Sequence, residues 1–190
     1  MVKKELRNRL REMLAAVEPA TLHTRSLEAC HLLVATEEYK RAEVIMVFLS
    51  LPTEVNTGPL VHHAWRDHKR VLAPKVSWEQ RRMLPIEIQS LSDDELRESR
   101  FGIREPAKGT PFPINNIDLV IVPGLGYDLQ GNRIGRGRGF YDHFLSHSEW
   151  HGVACGLALA EQVVEEVPVV EKDRKVDMLV TNQQVYRFNS

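Results

Sequence analysis

Cysteine is scarce in this 190-residue chain: Cys30 and Cys155 are the two present, far apart and each in an apolar context. They form no metal-type spacing, and the expectation is a pair of reduced, buried thiols rather than a disulfide framework. An excess of either charge is also missing, with 25 Lys+Arg against 26 Asp+Glu. General nucleic-acid or membrane-surface binders carry a strong basic excess, so neither partner is expected. No apolar run approaches a membrane span, and the opening "MVKKELRNRLREML" lacks the apolar core of a secretory leader. Cytoplasm is therefore the expected compartment. Internal repeats and low-complexity segments are absent. So are the GxxxxGK[ST] phosphate loop, the dinucleotide fingerprint, HExxH and GxSxG, which removes the commonest nucleotide, zinc and serine-hydrolase signatures.

What is present reads as one domain over residues 1–190 that alternates helices and strands. Leu6, Leu10, Met13, Leu14 and Val17 recur at helical spacing, and Leu22, Leu27, Cys30 and Leu33 repeat the pattern after Pro19. "EVIMVFLS" is a continuous apolar run, as expected of a strand buried on both faces. "TGPLVHHAWRDH" reads as a helix, "KRVLAPKV" and "MLPIEI" as strands, and the Gly- and Pro-rich stretch between Ser90 and Asn116 as a long loop. The second half continues with a strand in "IDLVIVPGLGYD" broken by Pro123, and a helix of about two turns from Phe140. A strand at "GVACGLAL", a helix near "AEQVVEEV" and a last strand at "DMLVTNQQVYRF" follow. This alternation predicts an α/β fold with an open, mostly parallel sheet flanked by helices. Ligands of such sheets sit beyond the carboxyl ends of the strands, where "VPGLGYD" falls.

The densest signal is "IGRGRGFYD". Gly135, Gly137 and Gly139 free backbone N–H groups to converge on an anion, and the helix start that follows adds partial positive charge. Arg136 and Arg138 supply guanidinium groups suited to phosphate oxygens, and Asp142 is placed to complement the helix dipole or hold a magnesium ion. The plainer alternative is a tight turn with solvated arginines, and one RGRG unit is too short for an RNA-binding RG segment. Lys3, Arg7 and Arg11 share one helix face, where cations in the first turns oppose the dipole. A solvated basic face is the competing reading. Glu54 follows a strand end, and Asp173 and Asp177 frame the final strand, with neighbouring Lys172, Arg174 and Lys175 as simple salt-bridge partners. His143 and His147 stand four apart without an evident third ligand.

Together, Lys3-Lys4-Glu5-Leu6-Arg7, "FLSLPTEVNT", "VPGLGYDLQGNRIGRGRGFYDHFL" and "KVDMLVT", in this order, resemble the 5-formyltetrahydrofolate cyclo-ligase family across essentially the whole chain. The resemblance implies a Rossmann-like fold and a monomer that uses ATP as co-substrate and Mg2+. Its substrate would be 5-formyltetrahydrofolate, polyglutamylated or not, turned into 5,10-methenyltetrahydrofolate. It further implies that Lys3 and Arg7 grip ATP phosphates and that Arg133, Ile134, Gly135, Arg136, Gly137, Arg138, Gly139, Phe140 and Tyr141 form the nucleotide loop. Arg136 and Tyr141 would be catalytic, and Arg136 to Phe140 would also touch the folate. Leu49, Glu54 and Phe101 complete the implied folate contacts, with Asp142 and Asp177 as metal ligands. Many relatives carry Gly-Gly-Gly-Tyr-Tyr-Asp where this chain has Gly137-Arg138-Gly139-Phe140-Tyr141-Asp142, so Phe140 keeps the aromatic face but lacks a hydroxyl. A nucleotide- or folate-binding protein without turnover, and an RNA contact through Arg133, Arg136 and Arg138, are the readings of other classes.

Overall fold

The computed structural model describes residues 1–188. Three helices come first: α1 (Lys3–Ala15), α2 (Pro19–Val34) and α3 (Glu37–Arg41). Leu6, Leu10 and Leu14 form the buried stripe of α1, Pro19 opens α2 where a missing N–H costs nothing, and the Thr36 side chain caps α3 by accepting the Tyr39 N–H. The remaining elements are β1 (Val44–Val47), α4 (Gly58–Arg66), β2 (Arg70–Ser77), β3 (Arg82–Glu87), β4 (Leu96–Glu98), β5 (Arg104–Pro106) and β6 (Leu119–Val122). They continue with β7 (Gly126–Tyr127), β8 (Arg133–Ile134), α5 (Phe140–Leu145), β9 (Val153–Leu157), β10 (Met178–Val180) and β11 (Val185–Arg187).

Seven strands form the main sheet in the order β11-β10-β9-β6-β1-β2-β3. The five inner ones are parallel, and the edge strands β3 and β11 run antiparallel to their neighbours. The chain winds outward one way from β1 to β2 and the other way from β6 through β9 to β10, so the order reverses between β1 and β6. A crevice opens at the carboxyl ends of those two strands. Alternate residues of β1 feed opposite faces. Ile45 and Val47 pack with Leu6, Leu10, Leu33 and Leu60 under the helices, while Val44 and Met46 belong to a core with Tyr127, Phe144 and Leu179. Among the described residues no helix is long and apolar enough to cross a membrane. Both cysteines are buried and free, as expected.

Three sequence expectations change. Instead of a helix, "AEQVVEEV" forms a single 3-10 turn at Ala160–Gln162. The Val164 and Val167 N–H groups are bound singly to Tyr127 O and Asp128 Oδ2, which holds the segment extended before Pro168. The last apolar run is a hairpin rather than one strand, because the Thr181 hydroxyl accepts the Gln183 and Gln184 N–H groups and turns the chain. The long middle loop contains the short hairpin β4–β5, whose turn places Phe101 at φ 62°.

Close packing at the sheet centre sets a test of the fold. Gly156 lies opposite Val122 and Leu179, and a Cβ there would meet Tyr127 Cε1 at 2.6 Å and Leu179 Cδ1 at 3.0 Å. Tyr127 has little freedom to retreat, since its hydroxyl donates to Val122 O at 2.8 Å. Gly156→Ala is expected to destabilise the protein by about 1–3 kcal/mol, the usual range for overpacking. Urea denaturation measures this, and a midpoint equal to wild type would show that the core relaxes freely.

Candidate active site

A cavity of about 310 Å3 occupies the crevice at the ends of β1 and β6. Its walls are the start of α1, the loop after β1, the glycine-rich loop between β8 and α5, and the two hairpins β2–β3 and β4–β5. Because Leu6, Leu10 and Leu14 turn to the core, the basic face of α1 meets the glycine loop. Arg7 donates through Nε to Gly135 O at 2.9 Å, and Arg11 through Nη2 to Arg136 O at 3.3 Å. The four-residue spacing of these cations thus serves to hold carbonyls of the loop. Lys3 is ion-paired with Asp173 across the mouth of the cavity.

Arg133 forms the floor. Its side chain is 5% exposed, donates to Pro123 O at 2.8 Å and approaches Asp142 Oδ1 at 3.4 Å, while its Nε has no partner. Asp142 shares that same oxygen with the Arg174 N–H at 3.0 Å. A buried guanidinium so weakly neutralised makes the floor attractive to an anion. Gly137 and Gly139 adopt φ 103° and 74°, conformations that a side chain would strain, so the loop between them can curve tightly around Arg138.

At the other end Glu54 is largely buried. Oε1 accepts the Leu51 N–H at 2.7 Å, and Oε2 lies 4.0 Å from Arg136 Nε. Burial pushes the Glu54 carboxyl above the ordinary carboxylate range, with Leu51 and Arg136 offsetting part of that rise. Burial also pushes the Tyr141 hydroxyl above its usual value, so it is a hydrogen-bond donor rather than a base. Leu49 and Ile134 contribute apolar lining beside these groups.

Of the residues singled out from sequence, the cavity gathers Lys3, Arg7, Leu49, Glu54, Asp142 and all of Arg133 to Tyr141. Phe101 stands at its rim, 62% exposed, against Arg138. Asp177 does not join them. It sits at the amino end of β10, opposite to the cavity, where its carboxylate accepts the Ala154 N–H at 2.8 Å. Asp173 lines the cavity instead, and its carboxylate meets Lys3 and the Val170 N–H rather than the neighbouring Lys172, Arg174 or Lys175. Although burial acts to raise its pKa, those two donors prevail and hold the Asp173 carboxyl below its ordinary value. Asp142 Oδ2 and Asp173 Oδ1 accept no hydrogen bond among the described residues, leaving two hard oxygen donors at one end of the cavity. No cluster of three or more His, Cys, Asp or Glu suited to a metal exists among the described residues, so His143 and His147 form no such centre. Sequence reasoning missed Trp78, which packs against Phe101 and Phe140 at 5.8 and 5.4 Å between ring centroids. Its signal was faint: a lone tryptophan in the turn between two strands.

Comparison with known proteins gives the chain its family and its fold. A family model described as the 5-formyltetrahydrofolate cyclo-ligase family matches residues 1–182. The chain is 30% identical to 5-formyltetrahydrofolate cyclo-ligase of Mus musculus, over 92% of this chain and 91% of the mouse protein. It is 27% identical to the Haemophilus influenzae enzyme of the same name, over 90% and 92%. Among solved structures, Aquifex aeolicus 5,10-methenyltetrahydrofolate synthetase superposes with a TM-score of 0.86 at 28% identity, covering 100% of this chain and 94% of the other. A Mycoplasma pneumoniae synthetase at 18% identity shares the fold, with a TM-score of 0.78.

The buried Glu54 carboxyl generates a pH-dependent prediction. With its folded-state pKa raised, its ionised form destabilises the fold at pH values above that pKa, and the penalty vanishes below the unfolded value. Glu54→Gln, which keeps an acceptor for the Leu51 N–H, is expected to raise the melting temperature at pH 7 and to leave it unchanged near pH 4. Thermal melts across that range check the sign.

Proposed function

The chain belongs to the 5-formyltetrahydrofolate cyclo-ligase family and is a ligase that forms 5,10-methenyltetrahydrofolate, and from this premise we propose how its own cleft performs the reaction. The carrying observation is one cavity with opposite chemistries at its two ends. Arg133, Lys3 and Arg7 concentrate positive charge at one end, and buried Glu54 with Leu49 offers a polar anchor beside apolar lining at the other. The first end suits the phosphates of ATP and the second the flat, hydrogen-bonding pterin.

In this reading the γ-phosphate of ATP passes to the formyl oxygen of the substrate, releasing ADP. The formyl carbon, an unreactive amide before that transfer, then accepts N10. That attack closes the ring as N10 gives up its proton, and expulsion of phosphate leaves the methenyl product. Such chemistry needs positioning and charge neutralisation more than a protein nucleophile. Arg136, held toward Glu54, is suited to the charge that develops between the two substrates, and the protonated Tyr141 hydroxyl donates a hydrogen bond within the same space. Asp142 and Asp173 would hold Mg2+, their two available oxygens suiting an ion that binds few carboxylates and keeps phosphate and water ligands. When bound, that ion supplies charge neutralisation on the phosphates.

The defining experiment incubates the protein with 5-formyltetrahydrofolate, ATP and Mg2+ and follows methenyltetrahydrofolate by its near-ultraviolet absorbance. Absorbance should rise in the complete mixture and stay flat without ATP or Mg2+. Asp142→Ala and Asp173→Ala are expected to lose turnover, whereas Asp177→Ala should retain it. The reverse ranking would return the metal role to Asp177. Arg136→Ala should slow turnover by about 10²–10³-fold, the scale of a lost transition-state donor. An unchanged rate in that variant would reduce Arg136 to a loop residue.

A further inference from the structure

Arg138 has no ion-pair or hydrogen-bond partner among the described residues, although it lines the same cavity as Lys3 and Arg7. Its guanidinium instead lies on an aromatic face, 3.8 Å from the Phe101 ring centroid and 5.9 Å from that of Trp78. Trp78 is fixed on its other contacts by Phe140 and by Arg100, whose guanidinium is 4.8 Å from the ring. A planar cation stacked in this way covers the surface that a flat ring would use. The backbone on both sides of Arg138 is glycine at positive φ, and Gly139 has no neighbour within 4 Å of a would-be Cβ, so the loop has room to reorient there.

We propose that Arg138 couples the two ligands: an aryl ring of the folate displaces its guanidinium from Phe101, and the released charge turns to the nucleotide phosphates. This inference rests on the reading of the cleft as a nucleotide and folate site. Glu54 anchors the pterin deep in the cavity, so the p-aminobenzoyl ring reaches outward to the exposed Phe101. Stacking on an exposed aromatic face favours the held position by about 2- to 5-fold. The population competent to bind phosphate with Arg138 is reduced accordingly, and releasing it should tighten nucleotide binding by about 3- to 6-fold. By linkage, nucleotide should tighten folate binding by the same factor.

Titration calorimetry with a non-hydrolysable ATP analogue and Mg2+, with and without saturating 5-formyltetrahydrofolate, tests this. In the wild-type protein the folate should tighten analogue binding by about 3- to 6-fold. Phe101→Ala should bind the analogue tightly from the outset, with no further gain from folate. Arg138→Ala, on an exposed loop whose loss of side chain leaves the core intact, should bind it weakly in both conditions. Absence of coupling in the wild type, or full coupling retained in Arg138→Ala, overturns the proposal. Failure of the wild-type protein to bind either ligand overturns the proposed function as well, whereas binding of both without coupling overturns this inference alone.

Discussion

One buried cation, Arg133, organises the site. Its guanidinium ties the carbonyl at the end of β6 to the carboxylate at the start of α5, and so joins the sheet to the helix that follows the glycine loop. Taking such a charge out of water is costly unless it is paired and hydrogen-bonded, and here the carboxylate contact is long. The fold makes room for it by omission, since a Cβ on Gly135 would sit 2.7 Å from Arg133 Nη1. The shape of the loop, the aim of Asp142 and the positive floor of the cavity all follow from that placement. Arg7 and Arg11 then reinforce the loop by donating to its carbonyls.

How much of this was legible in the sequence depends on whether local pattern or distant contact decides each element. The buried runs of β1, β6 and β9 announce a parallel sheet because both of their faces are covered, and the glycine-rich stretch marks a close approach to backbone. "AEQVVEEV" misled for the opposite reason. Its valines recur at helical spacing, yet the N–H groups of Val164 and Val167 are bound by Tyr127 and Asp128, partners from another part of the chain. The turn at Thr181 was written in a hydroxyl-bearing residue and two polar neighbours, a quieter signal than glycine or proline.

The candidate site shows the same division. Lys3, Glu54 and the loop from Arg133 to Asp142 were readable because each lies in a distinctive local string. Asp173 and Asp177 were not separable, since they flank one short segment with similar neighbours. Only the sheet distinguishes them: Asp177 precedes β10 at the end away from the crevice, whereas the loop carrying Asp173 returns toward α1. Trp78 was invisible for a related reason, as its importance comes from Phe101 and Phe140, which other segments deliver.

The pairing of Lys3 with Asp173 spans 170 positions. During synthesis the first helix leaves the ribosome long before its ionic partner exists, and it carries Lys3 through that interval unanswered. The inner strands and their helices can assemble around the early hydrophobic stripe of Leu6, Leu10 and Leu14, but the mouth of the cleft closes only when Asp173 arrives. A chain interrupted before that residue would hold much of the scaffold and none of that closure, so ligand-binding competence is among the last properties the polypeptide acquires.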